Sequence, residues 1–327
     1  MAEKKVTPAE DSEKTIRCRY CGQRNKLKAK KDAKCGRCLL TLSETPHKKF
    51  AALNKHDYVH PSDSRALAAL RMIPGIDTAL KKLLEVVGEA QLRVVLMASA
   101  VKVTPKQAPD LFAKLQVACT TLGVDMPDMY LQQSPVVNAF TYGSEKPVIV
   151  LHTSLLERLN DEEVLAVIAH EVGHIHAQHS LYLTAAVILE ALANVALGIS
   201  PIAALVKQLL SLTMRGALLS WQRCAELSCD RAALLVTQDP DVVGRTMMKL
   251  SGGGLYHKLD YDEFLAQARE FQAIYDDSAL DRFWADIINA GRTHPFPIWR
   301  VSEILKWVEE GEYQSLMDDE AKKAAAS

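Results

Sequence analysis

The sequence lacks most of the features that would announce a function on their own. It has almost no net charge: 39 lysines and arginines stand against 40 aspartates and glutamates, a balance of −1. That removes any global pull toward nucleic acid or acidic lipid. Its first residues, MAEKKVTPAEDSEK, contain no apolar core, so no secretory signal is expected and the cytoplasm is the default compartment. There is no internal repeat. The apolar stretch LLEVVGEAQLRVVLMASAVKV is interrupted by Glu85, Glu89 and Arg93, and so falls short of the roughly 20 apolar residues of a membrane span. The seven cysteines do not suggest a disulfide scaffold, because four lie in two C-x-x-C pairs and Cys119, Cys224 and Cys229 are scattered. Such usage suits a reducing compartment and a bound metal. What is present is ordinary globular material, 48% apolar and 24% charged over 327 residues. A sizeable core and roughly two domains are expected.

Residues 1–15 are polar and aperiodic and read as a disordered tail. Residues 16–42 hold the cysteine pairs, and 43–65 mix Pro, His and charge as a linker does. Residues 66–315 form the main domain, followed by an acidic and then Ala-rich tail over 316–327. In the main domain helical spacing predominates, while β signals are confined to short runs at 128–132 and 147–152. The expected fold class is α+β, mostly helical with a small sheet. Asn160, with Glu163 three residues on, forms a capping box that opens the helix carrying VLAVIAHEVGHIHAQHS.

That helix contains His170-Glu171-Val172-Gly173-His174. Residues four apart on an α-helix lie about 40° apart around the axis, so both imidazoles leave one face and can share a tetrahedral ion. Glu171, beside the first ligand, can accept a proton from water without occupying a coordination position. Zinc brings the pKa of such a water to about 7. A catalytic zinc also needs a third protein ligand. A third His six residues after the second is ruled out, because Ser180 stands there and Ala177 occupies the place of the accompanying Gly. The alternative is a Glu from a later helix with an Asp four residues on, and Ala225-Glu226-Leu227-Ser228-Cys229-Asp230 has that spacing. Glu226 can then ligate, and Asp230, one turn on, can accept a hydrogen bond from a ligand imidazole; the spacing counts because it stands on a helix downstream of the first motif. His176 and His179 read as packing or surface residues, and Cys224 and Cys229 as small buried hydrophobes.

Four elements occur in order: Asn138-Ala139-Phe140 with Gly143, HEVGHIHAQH, the Glu226/Asp230 pair, and His294-Pro295 with Arg300 and Val301. Through them the chain, from about residue 100 to 305, resembles the HtpX and CAAX-prenyl-protease family of membrane-linked zinc metallopeptidases, of gluzincin type. The resemblance implies a zincin-type domain that hydrolyses peptide bonds. His170, His174 and Glu226 would hold its catalytic zinc, with Glu171 as the base. It implies that Asn138, Ala139 and Phe140 lead into an edge strand that pairs with a polypeptide substrate. It also implies that His294 lies near the zinc and supports the oxyanion. The substrates it implies are misfolded or membrane-associated proteins, as in protein quality control. The rival reading is a zinc-ribbon adaptor whose peptidase domain binds polypeptide but is catalytically silent. A lost ligand or a lost Glu would favour that reading, and none is lost.

Cys18-Arg19-Tyr20-Cys21-Gly22 and Cys35-Gly36-Arg37-Cys38 form two knuckles, whose four thiolates close a structural zinc site, a zinc ribbon. Two zinc ions are therefore expected, one catalytic and one structural. From Arg17 to Cys38 nine basic residues face one acidic residue, Asp32. Tyr20 is the only aromatic there for stacking, so contact with protein or a membrane surface fits better than nucleic acid.

Between Glu190 and Lys207 the sixteen residues ALANVALGISPIAALV carry no charge, and Gly198, Ser200 and Pro201 break their middle. Residues 183–212 are expected to form a helical hairpin that meets a membrane surface or a second copy of the chain. Extraction of cell membranes with high salt and then alkaline carbonate, followed by sizing of the soluble fraction, checks this. Membrane-held or oligomeric protein is expected; an entirely soluble, strictly monomeric chain would remove the idea.

Overall fold

The computed structural model describes residues 15–26, 33–48, 50, 53–87, 89–193, 212–277 and 295–326. Most of the expected hairpin (194–211), the expected N-terminal tail up to residue 14, and His294 lie outside these residues.

The described chain is mostly helical with two small sheets. Strands β1 (Thr15–Arg17) and β2 (Arg24–Lys26) pair antiparallel and carry the first cysteine knuckle between them. Helices α1 (Pro61–Arg71), α2 (Ile76–Val87) and α3 (Glu89–Ser99) follow. The second sheet has β3 (Val101–Lys102), β4 (Asp128–Gln132), β5 (Ala139–Tyr142) and β6 (Val148–His152), in the order β3-β4-β6-β5. Its central strand β6 is a run of Val, Ile and Leu buried on both faces, as a parallel neighbour demands. It pairs parallel with β4, where Val150 meets Tyr130, and antiparallel with β5, where Val150 meets Phe140. β5 is therefore an edge.

Helix α4 (Pro109–Leu122) crosses between β3 and β4 and stops at Gly123, whose φ of +69° suits a residue without a Cβ. After the short α5 (Thr153–Leu156) comes α6 (Asp161–His176), opened by the expected capping box. Glu163 N donates to Asn160 Oδ1 at 2.9 Å, and Asn160 N donates to Glu163 Oε2 at 2.8 Å. Residues 163–174 are all buried, so α6 is the central helix of the main core. The rest of the domain is α7 (Ser180–Ala193), α8 (Leu212–Thr237), α9 (Pro240–Gly252), α10 (Tyr261–Asp277), α11 (Pro297–Glu309) and α12 (Glu312–Ala326). Among the described residues no helix is long and apolar enough to cross a membrane.

The stretch read as a linker is folded into the body. Asn54 caps a single 3-10 turn, Tyr58 is 1% exposed, and α1 starts at Pro61. The tail is also partly built in, since Tyr313 and Met317 of α12 are buried. The cysteine module docks instead of swinging free. Cys18, Cys35, Cys38 and Leu40 share one apolar cluster with α4 and α6. Thr41 N donates to Glu162 Oε1 at 2.7 Å, and Lys34 pairs with Asp161 at the start of α6. At the end of α8, Gln238 exchanges two hydrogen bonds with the backbone of Lys48 (2.9 and 2.8 Å).

Helices α6 and α8 touch through their smallest residues. A Cβ on Gly173 would come within 2.7 Å of Ala232 Cβ and 3.4 Å of Cys229 Cα, so any side chain there forces the helices apart. Gly173→Val is expected to lower stability by about 2 kcal/mol, the range of core overpacking. Urea denaturation would measure the loss, and an unchanged midpoint would show that the contact tolerates bulk.

Candidate metal centre and active site

Three helices bring the expected site residues together. α6 carries His170, Glu171 and His174, α8 carries Glu226 and Asp230, and α11 carries Arg300. All six are buried. His170 Nε2 lies 3.5 Å from Glu226 Oε2, and His174 Nε2 lies 3.3 Å from Glu226 Oε1. A tetrahedral zinc with N and O ligands at about 2.1 Å has edges of about 3.4 Å. Each imidazole thus stands at a ligand-edge distance from Glu226, a donor set that fits zinc, and the Cys229 sulfur lies within 4.8 Å of both imidazoles as a further possible donor.

The outer atoms of the site are also occupied. His170 Nδ1 bonds to Asp230 Oδ1 at 3.0 Å, which leaves Nε2 to face inward. Arg300 clamps Asp230 with two donors, Nε to Oδ2 at 2.7 Å and Nη2 to Oδ1 at 2.6 Å. Burial works against the charged form of Asp230, but Arg300 and His170 outweigh it and hold the carboxyl below its usual range. Burial also opposes a proton on His170, yet Glu226 and Asp230 pull its pKa up to about 10. At His174, in the same site, burial prevails and pushes the pKa below its usual value.

Glu171 is fixed from the sheet. Thr141 Oγ1, on β5, donates to Glu171 Oε2 at 2.7 Å. The sequence reading missed Thr141, although it alternates with Ala139 on one face of β5. Asn138 and Ala139 line two cavities of about 250 and 230 Å³, together with Glu171 and Glu226. The first continues along the apolar Val167, Val243 and Met247, the second along Phe140, Thr141 and Leu183. The expected edge strand therefore borders the site, with open space on both sides of Glu171. His294 lies outside the described residues; its neighbour Pro295 lines the first cavity.

His179 is 1% exposed and hydrogen-bonded at both ring nitrogens, which the reading as a packing or surface residue did not foresee. Its Nδ1 lies 3.1 Å from His174 Nδ1, and its Nε2 lies 3.0 Å from Asp63 Oδ2. Cys229 Sγ reaches the same His179 Nδ1 at 3.8 Å, and burial pushes its thiol well above the usual range. It is buried, as expected, and remains a neutral thiol beside the imidazole pair.

At the N-terminal module, Cys18 Sγ and Cys38 Sγ are 3.6 Å apart, as are Cys21 Sγ and Cys35 Sγ. Zinc–sulfur bonds of about 2.3 Å give tetrahedral edges of about 3.8 Å, so this set also fits zinc. Arg37 N points at Cys35 Sγ at 3.4 Å, the amide-to-sulfur contact of a knuckle.

The family model for Peptidase family M48 matches residues 105–308. The chain is 39% identical over 272 residues to a plastoglobule-localized metallopeptidase 48, chloroplastic, of Arabidopsis thaliana, covering 82% of this chain and 77% of the relative. It is 37% identical over 84 residues to a protease HtpX homolog of Streptococcus pyogenes serotype M3 (strain SSI-1), covering 25% of this chain and 28% of that one. No solved structure matches it.

Arg300→Gln would leave the Asp230 carboxylate buried with only His170 beside it. The expected loss is about 3 kcal/mol, since breaking a buried pair strands a charge. The folded pKa of Asp230 is depressed, so the stability it brings is present above its unfolded pKa of about 4 and is lost as pH falls through the folded value. Urea titrations of the two proteins should therefore differ most near neutral pH and converge in acid. A constant difference down to low pH would show that Arg300 acts by packing instead.

Proposed function

The chain belongs to peptidase family M48, and on that premise we propose that it is a zinc-dependent endopeptidase acting on unfolded or membrane-associated polypeptides in protein quality control. The observation that carries this reading is the meeting of His170 Nε2 and His174 Nε2 at the Glu226 carboxylate, with Glu171 held beside them by Thr141.

His170, His174 and Glu226 would hold the zinc ion, which when bound would supply the Lewis acidity that polarises a carbonyl and lets water ionise near neutral pH. Glu171 takes the proton from the attacking water. The water oxygen bonds to the scissile carbonyl carbon, the C–N bond breaks, and Glu171 returns the proton to the leaving nitrogen. The bond from Thr141 holds Oε2 and leaves Oε1 to do this work. Asp230 keeps His170 in the tautomer whose Nε2 faces inward, and Arg300 keeps Asp230 in place. Residues 138–140, at the sheet edge, lend backbone groups to an extended substrate, and its side chains enter the flanking cavities. His294 supports the oxyanion. The four cysteines would hold a second, structural zinc that closes the two knuckles of the N-terminal module.

The adaptor reading needs a missing ligand or base, and the presence of His170, Glu171, His174 and Glu226 in the sequence supports the peptidase reading instead. Digestion of casein with and without chelator tests the proposal. Glu171→Gln should lower the rate at least about 100-fold, the usual scale of general acid–base catalysis, while two zinc ions per chain stay bound. Glu226→Ala should be inactive and keep one zinc. Should Glu171→Gln retain most of the wild-type rate, the assignment of the base is wrong.

A further inference from the structure

We propose that Asp63, on α1, is a positioning residue for the metal centre: acting through His179, it sets the tautomer and ring orientation of His174. This rests on the reading of His174 as a metal ligand.

The hydrogen positions follow one from another. His174 Nε2 faces Glu226 at 3.3 Å, so as a ligand it carries its hydrogen on Nδ1. The partner of that nitrogen is His179 Nδ1, 3.1 Å away, which can only accept if the hydrogen of His179 sits on Nε2. His179 Nε2 in turn meets Asp63 Oδ2 at 3.0 Å, and a carboxylate is an acceptor there. Exchange Asp63 for a group that does not hold that hydrogen, and His179 is free to place an N–H against the N–H of His174. The ligand ring would then lose its tether.

The far end of this chain is rigid. Asp63 is 1% exposed and also accepts from Ser228 Oγ at 2.6 Å and Trp221 Nε1 at 3.1 Å. Three donors compensate its burial, and its place in the first turn of α1 adds the favourable end of the helix dipole. The Trp221 ring stands edge-on to His179, with centroids 5.4 Å apart at 86°, which fixes the imidazole plane. The two ligand imidazoles thus each end on a buried carboxylate, His170 directly on Asp230 and His174 by way of a second imidazole. Asp63 lies outside residues 105–308, so part of this centre comes from the segment that precedes the family match.

A purely structural Asp63 would do no more than tie α1 to α8, and zinc affinity separates the two roles. In the full chain, competition with a chelator would measure zinc binding at the His/His/Glu site, with Glu226→Ala reporting the zinc held elsewhere. Asp63→Asn is expected to weaken that site about 10-fold and His179→Leu between about 10- and 100-fold, the usual effect of losing an outer partner. The double variant should be no weaker than His179→Leu alone, because both act through one chain of bonds. Glu303→Gln, which removes the charge from the His60–Glu303 contact (3.1 Å) at the start of α1, should lower the unfolding midpoint and leave zinc affinity unchanged. The proposal is overturned if folded Asp63→Asn and His179→Leu proteins keep wild-type affinity, or if Glu303→Gln weakens zinc as much as they do. A wild-type chain with no more zinc than Glu226→Ala would overturn the metal reading as well; wild-type binding with indifferent variants overturns this inference alone.

Discussion

The contact of α6 with α8 governs the rest of the molecule. Gly173 leaves no room for a side chain against Ala232, and that approach brings Glu226 between His170 and His174. Buried groups of this polarity do not assemble for stability. A buried ion pair is on balance neutral or unfavourable against apolar packing, while losing one partner of it costs several kcal/mol. The Asp230–Arg300 clamp and the Asp63 chain are therefore better understood as holding the rings in place. The surrounding core of α4, α6 and β6 supplies the stability that offsets them.

The N-terminal module fits the same picture. A unit this small cannot bury enough apolar surface to be stable alone. Here its cysteines and Leu40 complete the core of the larger domain, and polar contacts bind it to the start of α6 at Asp161 and Glu162 and, through Tyr20 Oη and Thr237 O at 3.4 Å, to the end of α8. It thus grips the two central helices at their far ends, while α1 grips α8 near the middle through Trp221 and Ser228. A segment with such duties cannot be a free linker, whatever its Pro and His content suggests.

What could be read in advance was what repeats locally. The four-residue spacing of His170 and His174, the Asn160–Glu163 capping box and the apolar run of β6 each depend on neighbours in sequence, and each appears where it was expected. Glu226 and Asp230 were legible as a pair because their spacing also fits one helix face. Asp63 and Thr141 were not. A carboxylate in the first turn of a helix is the ordinary sign of a solvated start, and a threonine in a strand is ordinary β composition. Only the tertiary fold sets Asp63 against His179 and Thr141 against Glu171, 30 residues away. His179 is buried, as a packing residue is, but helical spacing says nothing of the carboxylate that reaches it from α1.

Charge balance gives the centre its direction. Asp230 and Arg300 cancel as a bidentate pair. Arg300 also reaches Glu226 Oε2 at 3.2 Å, so one guanidinium serves Asp230 and Glu226 while Glu171, 4% exposed, adds a third carboxyl group around the point where both Nε2 atoms turn inward. Two negative charges in so dry a place are costly unless a cation joins them. A dication restores neutrality, whereas a proton on His170 offsets only half the charge. The two carboxylates differ in what constrains them. Glu226 presents one oxygen to each imidazole and also meets Arg300, while among the described residues Glu171 is tied at Oε2 by Thr141. This difference suits the proposed roles, Glu226 as an ion's ligand and Glu171, whose Oε1 lies beside the cavities, as the group that moves a proton.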